Sequence, residues 1–245
     1  MMTRIAATTS HFILSIVIFS VLFSILIFFW YPSPYFNVSG GWEGLKIAAS
    51  VDLVLGPLLT FVIFNTKKDP KKRTMDLSII VFIQLLALLW GMVTIYQQRP
   101  VATVFWLGSF LTVIASDFTE QNVDLTVLDN FGESHPVLVY VPDVIIEHKQ
   151  YQFGQYADTG LSISPFYRSD LFQPLQTHFS EIQKFQLDIL NLIKTNELVN
   201  NKLMMFLAEK QKQVNDFQYY KMFSKYNNVI LIFSPNGELV GHLIF

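Results

Sequence analysis

No cysteine occurs in the 245 residues, which excludes disulfide scaffolds, thiol nucleophiles, CxxC redox pairs and thiolate zinc sites. Charge is scarce as well. Asp, Glu, Lys and Arg make up 15% of the chain, against about a quarter of an ordinary soluble domain. Residues 98–245 carry ten Lys/Arg against fifteen Asp/Glu, a balance of −5. A nucleic-acid binder needs a basic patch on its soluble part, so that class is excluded. Signatures of chemistry are missing too. There is no GxGxxG, GxxxxGK(S/T) or GxSxG run. The five histidines, His11, His135, His148, His178 and His242, show no HxH or HExxH spacing, so no metal site is expected. Asp143 and Glu147 stand four apart but form only a weak carboxylate pair, better read as solvated surface. Neither an enzyme nor a cofactor is expected.

What the chain does have is apolar length. Hydrophobic residues make up 51% and aromatic ones 15%, and the mean hydropathy is positive. Residues 12–31 run without a charge, matching the roughly 20 residues a helix needs to cross a bilayer. Arg4 precedes the run, and Trp30, Tyr31, Tyr35 and Phe36 follow it like an interfacial aromatic belt. The exit Phe28-Phe29-Trp30-Tyr31-Pro32 lacks the small residues of a signal-peptidase site, which favours an uncleaved signal anchor. Second and third spans are expected over residues 45–64 and 77–96. Between them, in the loop 65–76, Lys67-Lys68-Asp69-Pro70-Lys71-Lys72-Arg73 places five positive charges in seven residues. The positive-inside rule assigns this loop and the N-terminus to the cytoplasm and everything after Tyr96 to the opposite side, which in a Gram-negative cell is the periplasm.

Residues 1–97 are therefore expected to be a three-helix transmembrane bundle and residues 98–245 a periplasmic α+β domain with an antiparallel sheet. Strands are expected over 101–107, 110–115, 123–128 and 137–141, rich in β-branched and aromatic residues, with a turn at Asp129-Asn130-Phe131-Gly132. Residues 142–177 show no period and read as irregular surface. Residues 178–214 carry apolar side chains at three- to four-residue steps and read as helix, with Asn196, Asn200 and Asn201 as candidate break points. Two apolar runs, 229–233 and 239–245, flank Ser234-Pro235-Asn236-Gly237, a hairpin signal because Asn and Gly tolerate positive φ. The last strand is expected inside a sheet.

Six residues stand out as a partner-binding or structural membrane motif. Asp52 is an ionisable group within a span, costly unless it meets a polar partner, such as Gln84, a nearby hydroxyl or a partner helix. Gly56 permits close helix approach, and Pro57 removes a backbone donor and predicts a kink. Gln84 offers an interhelical hydrogen bond. Arg99 and Pro100 close the third span, Arg99 by snorkelling and Pro100 by starting an extended chain.

The run from Val51-Asp52-Leu53 through Gly56-Pro57-Leu58-Leu59-Thr60 to Phe64-Asn65, with Asp76-Leu77, Gln84, Ala87, Gly91 and Arg99-Pro100-Val101, resembles the type IV pilin accessory proteins (the TfpX/TfpZ family) of Gram-negative bacteria. The resemblance covers residues 45–115. Gln98 departs from the family's small residue before Arg-Pro, and residues 105–110 lack its acidic and Arg side chains. It implies an inner-membrane factor that binds the major type IV pilin as a specific chaperone and modulates pilus assembly or dynamics. Membrane lipid and other pilus-machine components are implied as further contacts.

Overall fold

In the computed structural model, which describes residues 3–133, 135–142 and 165–245, the chain divides between Arg99 and Pro100 into two units. In the first, α1 (Arg4–Ile25) is capped by the Thr3 side chain, which accepts from the Ala6 amide, and runs on through a π-helical turn, Leu26–Trp30. A single turn, α2 (Tyr35–Val38), leads into the second long helix. That helix is composite: α3 (Gly41–Ala49), a π-helical turn (Ser50–Leu55) and α4 (Gly56–Ile63). The third, α5 (Pro70–Gln97), starts where the Asp69 side chain accepts from the Lys71 amide and Pro70 takes the first turn, a position that needs no donor. Three helical stretches, Arg4–Trp30, Gly41–Ile63 and Pro70–Gln97, are long and apolar enough to cross a membrane. Each begins earlier than the expected span of 12–31, 45–64 or 77–96, because the preceding residues are already helical, and the first two end one residue sooner, at Trp30 and Ile63.

Pro57 is accommodated by helical register. The Gly56 amide bonds to the Val51 carbonyl, five residues back. Proline lacks a donor and clashes with the carbonyl of the preceding turn; widening that turn to π relieves the clash. Near the other end of the bundle Leu22, Leu26, Tyr31 and Leu45 are buried together. The Tyr31 hydroxyl donates to the Ile95 carbonyl at 2.9 Å, and the Trp30 and Tyr96 rings meet edge-on at 5.1 Å.

The second unit is a seven-stranded sheet in the order β4-β3-β1-β2-β5-β6-β7. Its strands are β1 (Pro100–Trp106), β2 (Ser109–Ile114), β3 (Val137–Tyr140), β4 (Gln173–Pro174), β5 (Gln218–Phe223), β6 (Val229–Phe233) and β7 (Leu239–Ile244). The sheet is mixed, which corrects the antiparallel expectation. β3 runs parallel to β1 and β5 parallel to β2, because each arrives after a long excursion and not through a hairpin. β1 and β2 do form a hairpin, through Leu107 and Gly108 at φ 48° and 84°, the positive pair that a two-residue hairpin turn requires.

Helices α6 (Ala115–Glu120), α7 (Phe179–Ile182), α8 (Ile189–Thr195) and α9 (Glu197–Lys210) complete the described elements longer than a 3₁₀ turn. The strand expected over 123–128 is instead a 3₁₀ helix, Leu125–Phe131. The Asp124 side chain accepts from the Thr126 amide and starts a helical turn, which also absorbs most of the expected 129–132 turn. The helix expected over 178–214 is broken where the Asp188 and Asn196 side chains cap α8 and α9; Asn200 and Asn201 lie within α9. The hairpin at 234–237 forms, with the Ser234 amide bonded to the Glu238 carbonyl at 2.8 Å and Gly237 at φ 83°. The strand it leads to, β7, lies at the edge of the described sheet, not inside it; β6 is the interior one. Residues 165–177, part of the stretch read as irregular, hold short 3₁₀ turns and β4.

One sheet face packs Val104, Trp106, Val113 and Val139 against Phe118, Leu128 and Phe172. At the β5–β7 end α9 lays Val199, Leu203 and Leu207 on Tyr219, Ile230, Ile232 and Leu243. Each of the three helix side chains contributes about 1.5–3 kcal/mol of burial. An aromatic cluster forms a further core, with Phe105 opposite Phe110 in the β1–β2 register and Tyr220, Phe233 and Phe179 around them.

His242, on β7 opposite Leu231, is half-buried, and burial pushes its imidazole below the usual histidine range. In the unfolded chain the same ring takes a proton near pH 6.5. Below that pH the unfolded state binds more protons than the folded one, so stability falls as pH falls. The unfolding midpoint is therefore expected to drop between pH 7.5 and 5, and the His242→Gln variant to lose part of that slope. An equal slope in both would refute this.

Candidate functional site

The polar residues expected to matter in the first unit face inward and form a seam between its helices. On α1, His11 and Ser15 are one turn apart. On the second helix Asp52, Gly56 and Thr60 repeat every four residues. The two sets meet in antiparallel order. Ser15 Oγ donates to Asp52 Oδ1 at 3.4 Å, and His11 Nδ1 and Thr60 Oγ1 share a hydrogen bond at 2.6 Å. Beyond them Arg4 Nε donates to the Phe64 carbonyl at 2.9 Å, closing a helix end that would otherwise keep an unpaired acceptor. Ser15, Asp52 and Thr60 are all buried.

The third helix joins the seam through Gln84. A Cβ built on Gly56 would overlap the Gln84 carboxamide, so the absence of a side chain at residue 56 is what lets this amide lie against the second helix. Asp52 is one turn away, about 6 Å along the axis. Asp52 Oδ2 and both polar atoms of Gln84 are buried without a hydrogen-bond partner among the described residues. Pro57, buried beside Gly56, leaves a further backbone acceptor of the π turn without its donor. In an apolar medium such groups are expensive to separate from one another, and they bias the three helices towards one register.

Outside the seam the outward faces of α4 and α5 are largely apolar. Leu58, Val62, Phe82, Leu89 and Trp90 are exposed, and Ile80 is the one residue of α5 buried within the unit. A surface of this extent suits hydrocarbon or a partner helix better than water. The basic loop caps one end, with Lys68 paired to Asp76 and Arg73 over the Phe64 ring at 5.3 Å. At the other end Arg99 folds back on the helix: Nη1 donates to the Tyr96 carbonyl at 2.8 Å, and the guanidinium lies 3.6 Å from the Tyr96 ring centre. Pro100 opens β1 in the second unit, where a strand's first residue tolerates the missing donor.

Thus the structure brings together Asp52, Gly56, Pro57 and Gln84 and leaves Arg99 and Pro100 at the junction. Sequence reasoning missed His11, Ser15 and Thr60 as seam members. Their four-residue spacing, matched to that of Asp52 and Gly56, was the available signal.

In the second unit a separate polar cluster lies beside the aromatic core. The Tyr140 hydroxyl donates to Glu181 Oε2 at 3.0 Å, and His178 Nδ1 lies 2.9 Å from Glu181 Oε1. The hydrogen bond from His178, then that from Tyr140, holds the Glu181 carboxyl below the usual carboxylate range. Among the described residues no three His, Asp or Glu side chains gather as metal ligands would; Asp143, Glu147 and His148 lie outside the described residues.

No protein-family profile matches the chain, and no solved structure matches it. Curated proteins do. The chain is 40% identical over 107 residues to "Fimbrial assembly protein, serogroups C1 and C2" of Dichelobacter nodosus, a match covering 44% of this chain and 82% of that relative. It is 41% identical to "Fimbrial assembly protein, serogroup E1" and 42% identical to "Fimbrial assembly protein, serogroup I" of the same organism. In those two cases the match spans 42% of the relative's length, so the chain covers less than half of each.

Proposed function

Given that this chain belongs to the family of fimbrial assembly proteins, we propose that it is an inner-membrane accessory factor of type IV pilus assembly that binds the major pilin as a specific chaperone. The observation that carries this reading is the division of labour in the first unit. Its polar groups are turned inward, where they order three helices, and its outer surface is apolar around α4 and α5. A pilin subunit awaiting assembly is an apolar helix with a globular head outside the membrane. An outward apolar face on α4 and α5 suits the helix, and the second unit, on the periplasmic side by the charge asymmetry of the sequence, suits the head. Asp52, Gly56, Pro57 and Gln84 shape the face from behind, and Arg99 with Pro100 marks where the membrane part hands over to the soluble part. The role is one of binding, not of catalysis.

A scaffold role in the pilus machine, without a pilin-specific grip, is the competing reading. The two separate in living cells by photocrosslinking from the full chain. A photoreactive residue at Leu58 or Val62, both outward, is expected to capture the major pilin, whereas one at Thr60, which faces α1, captures only its own chain. Adducts with lipid alone from every outward position would remove the stem-holding part of the proposal. Capture of other pilus-machine components in place of pilin would favour the scaffold.

A further inference from the structure

The two edges of the described sheet are built differently. β4 is two residues long and ends on Pro174, which has no amide to offer, so this edge is blocked in the way natural sheets block theirs. β7 is six residues long, with neither proline nor a fixed charge in its sequence Leu-Val-Gly-His-Leu-Ile.

Its backbone directions follow from the register. Asn228 and Phe245 exchange both hydrogen bonds, so in the antiparallel ladder Leu243 and Gly241, two and four residues on, also point their amides and carbonyls at β6. His242 and Ile244 must then point theirs away from it. Lys202 on α9 bears this out by donating from Nζ to the Ile244 carbonyl at 2.7 Å, on the side away from β6. The amide and carbonyl of His242 and the amide of Ile244 have no partner among the described residues. They open into a groove whose other wall is α9, lined by Lys202, Met205, Phe206 and Glu209.

We propose that β7 is a strand-acceptor edge: an extended segment of a fimbrial subunit adds to the sheet there, bonding to His242 and Ile244 and displacing the Lys202 ammonium. This names the contact made by the second unit and rests on the pilin-binding reading above. Unpaired backbone groups at alternate residues recognise another extended backbone and little else. Met205, which is largely exposed, and Phe206 offer apolar contact to alternate side chains of the incoming strand. A second copy of this chain is the poorer occupant. The ladder shifts between Ile232 and Phe233, leaving Val240 as an extra residue, so a twofold pairing centred on His242 would set Ile244 against a bulge. The net charge of −5 over residues 98–245 opposes self-association as well.

The test is hydrogen exchange at single-amide resolution on the full chain in detergent, with and without the purified major fimbrial subunit of its own organism. The expected result is that the outward amides of His242 and Ile244 exchange fast in the free chain and slow by roughly tenfold or more with the subunit, while the inward Leu243 amide is protected throughout. The Ile244→Pro variant removes one outward donor and none of the ladder to β6. It is expected to keep the Leu243 protection and to lose the subunit-dependent protection at His242. If the subunit is captured by crosslinking but the outward amides exchange as before, the edge is not its docking site, and only this inference falls. If the subunit is neither captured nor protective, the pilin-binding reading falls with it. Protection that rises with the concentration of the chain alone would identify a second copy as the occupant and overturn the proposal.

Discussion

Leucine in place of Gly56 is expected to be the most damaging single change in the first unit. The space where its side chain would begin is filled by the Gln84 carboxamide, and the surrounding positions, Asp52, Pro57 and Thr60, are buried. Overpacking a tight interior site costs about 1–3 kcal/mol, and leucine at a helix contact that depends on the absence of a side chain belongs at the top of that range. In a bilayer there is little hydrophobic drive to push helices back together once close contact is lost. The full chain carrying Gly56→Leu should therefore show a clearly lowered thermal midpoint in detergent and faster proteolysis within the loops. A smaller pair isolates the cause. Gly56→Ala should be destabilising by itself and largely restored by Gln84→Ala, which empties the space the new methyl needs. If Gln84→Ala makes no difference to Gly56→Ala, the two residues do not meet in the folded protein.

Truncating Phe233 to alanine should have the largest effect in the second unit. The ring is fully buried, stacked on Phe110 with centroids 5.6 Å apart, and in contact with Phe179 at 5.4 Å and Tyr220 at 5.7 Å. Removing a core phenylalanine costs about 3–5 kcal/mol in lost burial and residual cavity, a large part of a typical total stability of about 5–15 kcal/mol. The thermal midpoint of this unit should fall by roughly 10 °C or more. Phe233→Leu, which keeps most of the volume, should lose less than half as much. Midpoints that move equally for Ala and Leu would mean that the ring's packing is not what holds β6 in place.

Much of this architecture was legible because its signals are local. Three long apolar runs, an Asn-Gly turn between two β-branched segments, and Asn196 before a new helical period each report on a few neighbouring residues. The strand Gln218–Phe223 was not legible. Its buried residues, Tyr219, Tyr220 and Met222, are interrupted by the exposed Lys221 and preceded by Gln218, and although β6 follows after a short loop, its other neighbour, β2, comes from a distant part of the chain. Parallel pairing of β1 with β3 and of β2 with β5 is likewise set by packing between distant segments, for which no short motif exists. In the seam, Asp52, Gly56 and Gln84 were conspicuous as residues foreign to an apolar helix. Ser15 and Thr60 were not, since hydroxyls are tolerated in such helices by bonding to their own backbone. Histidines read only for metal-ligand spacing hid the role of His11. The π-helical turn had no signature beyond Gly56-Pro57, because proline announces a disturbance without specifying whether the helix bends, breaks or widens.

The pairing of β2 with β5 bears on how the protein is made. The Thr112 hydroxyl reaches the Met222 sulfur across 110 residues of chain, and the parallel register of Phe110 with Met222 ties the same two segments. During synthesis β1 and β2 close into a hairpin at once, but the strand that must flank β2 emerges only after many seconds of translation. Until then β2 is an open edge, and closing so long a loop is slow by its chain entropy alone. The sheet of the second unit is thus completed only once β5 has been made, and chains that stop before β5 are expected to keep β2 as an unpaired, aggregation-prone edge.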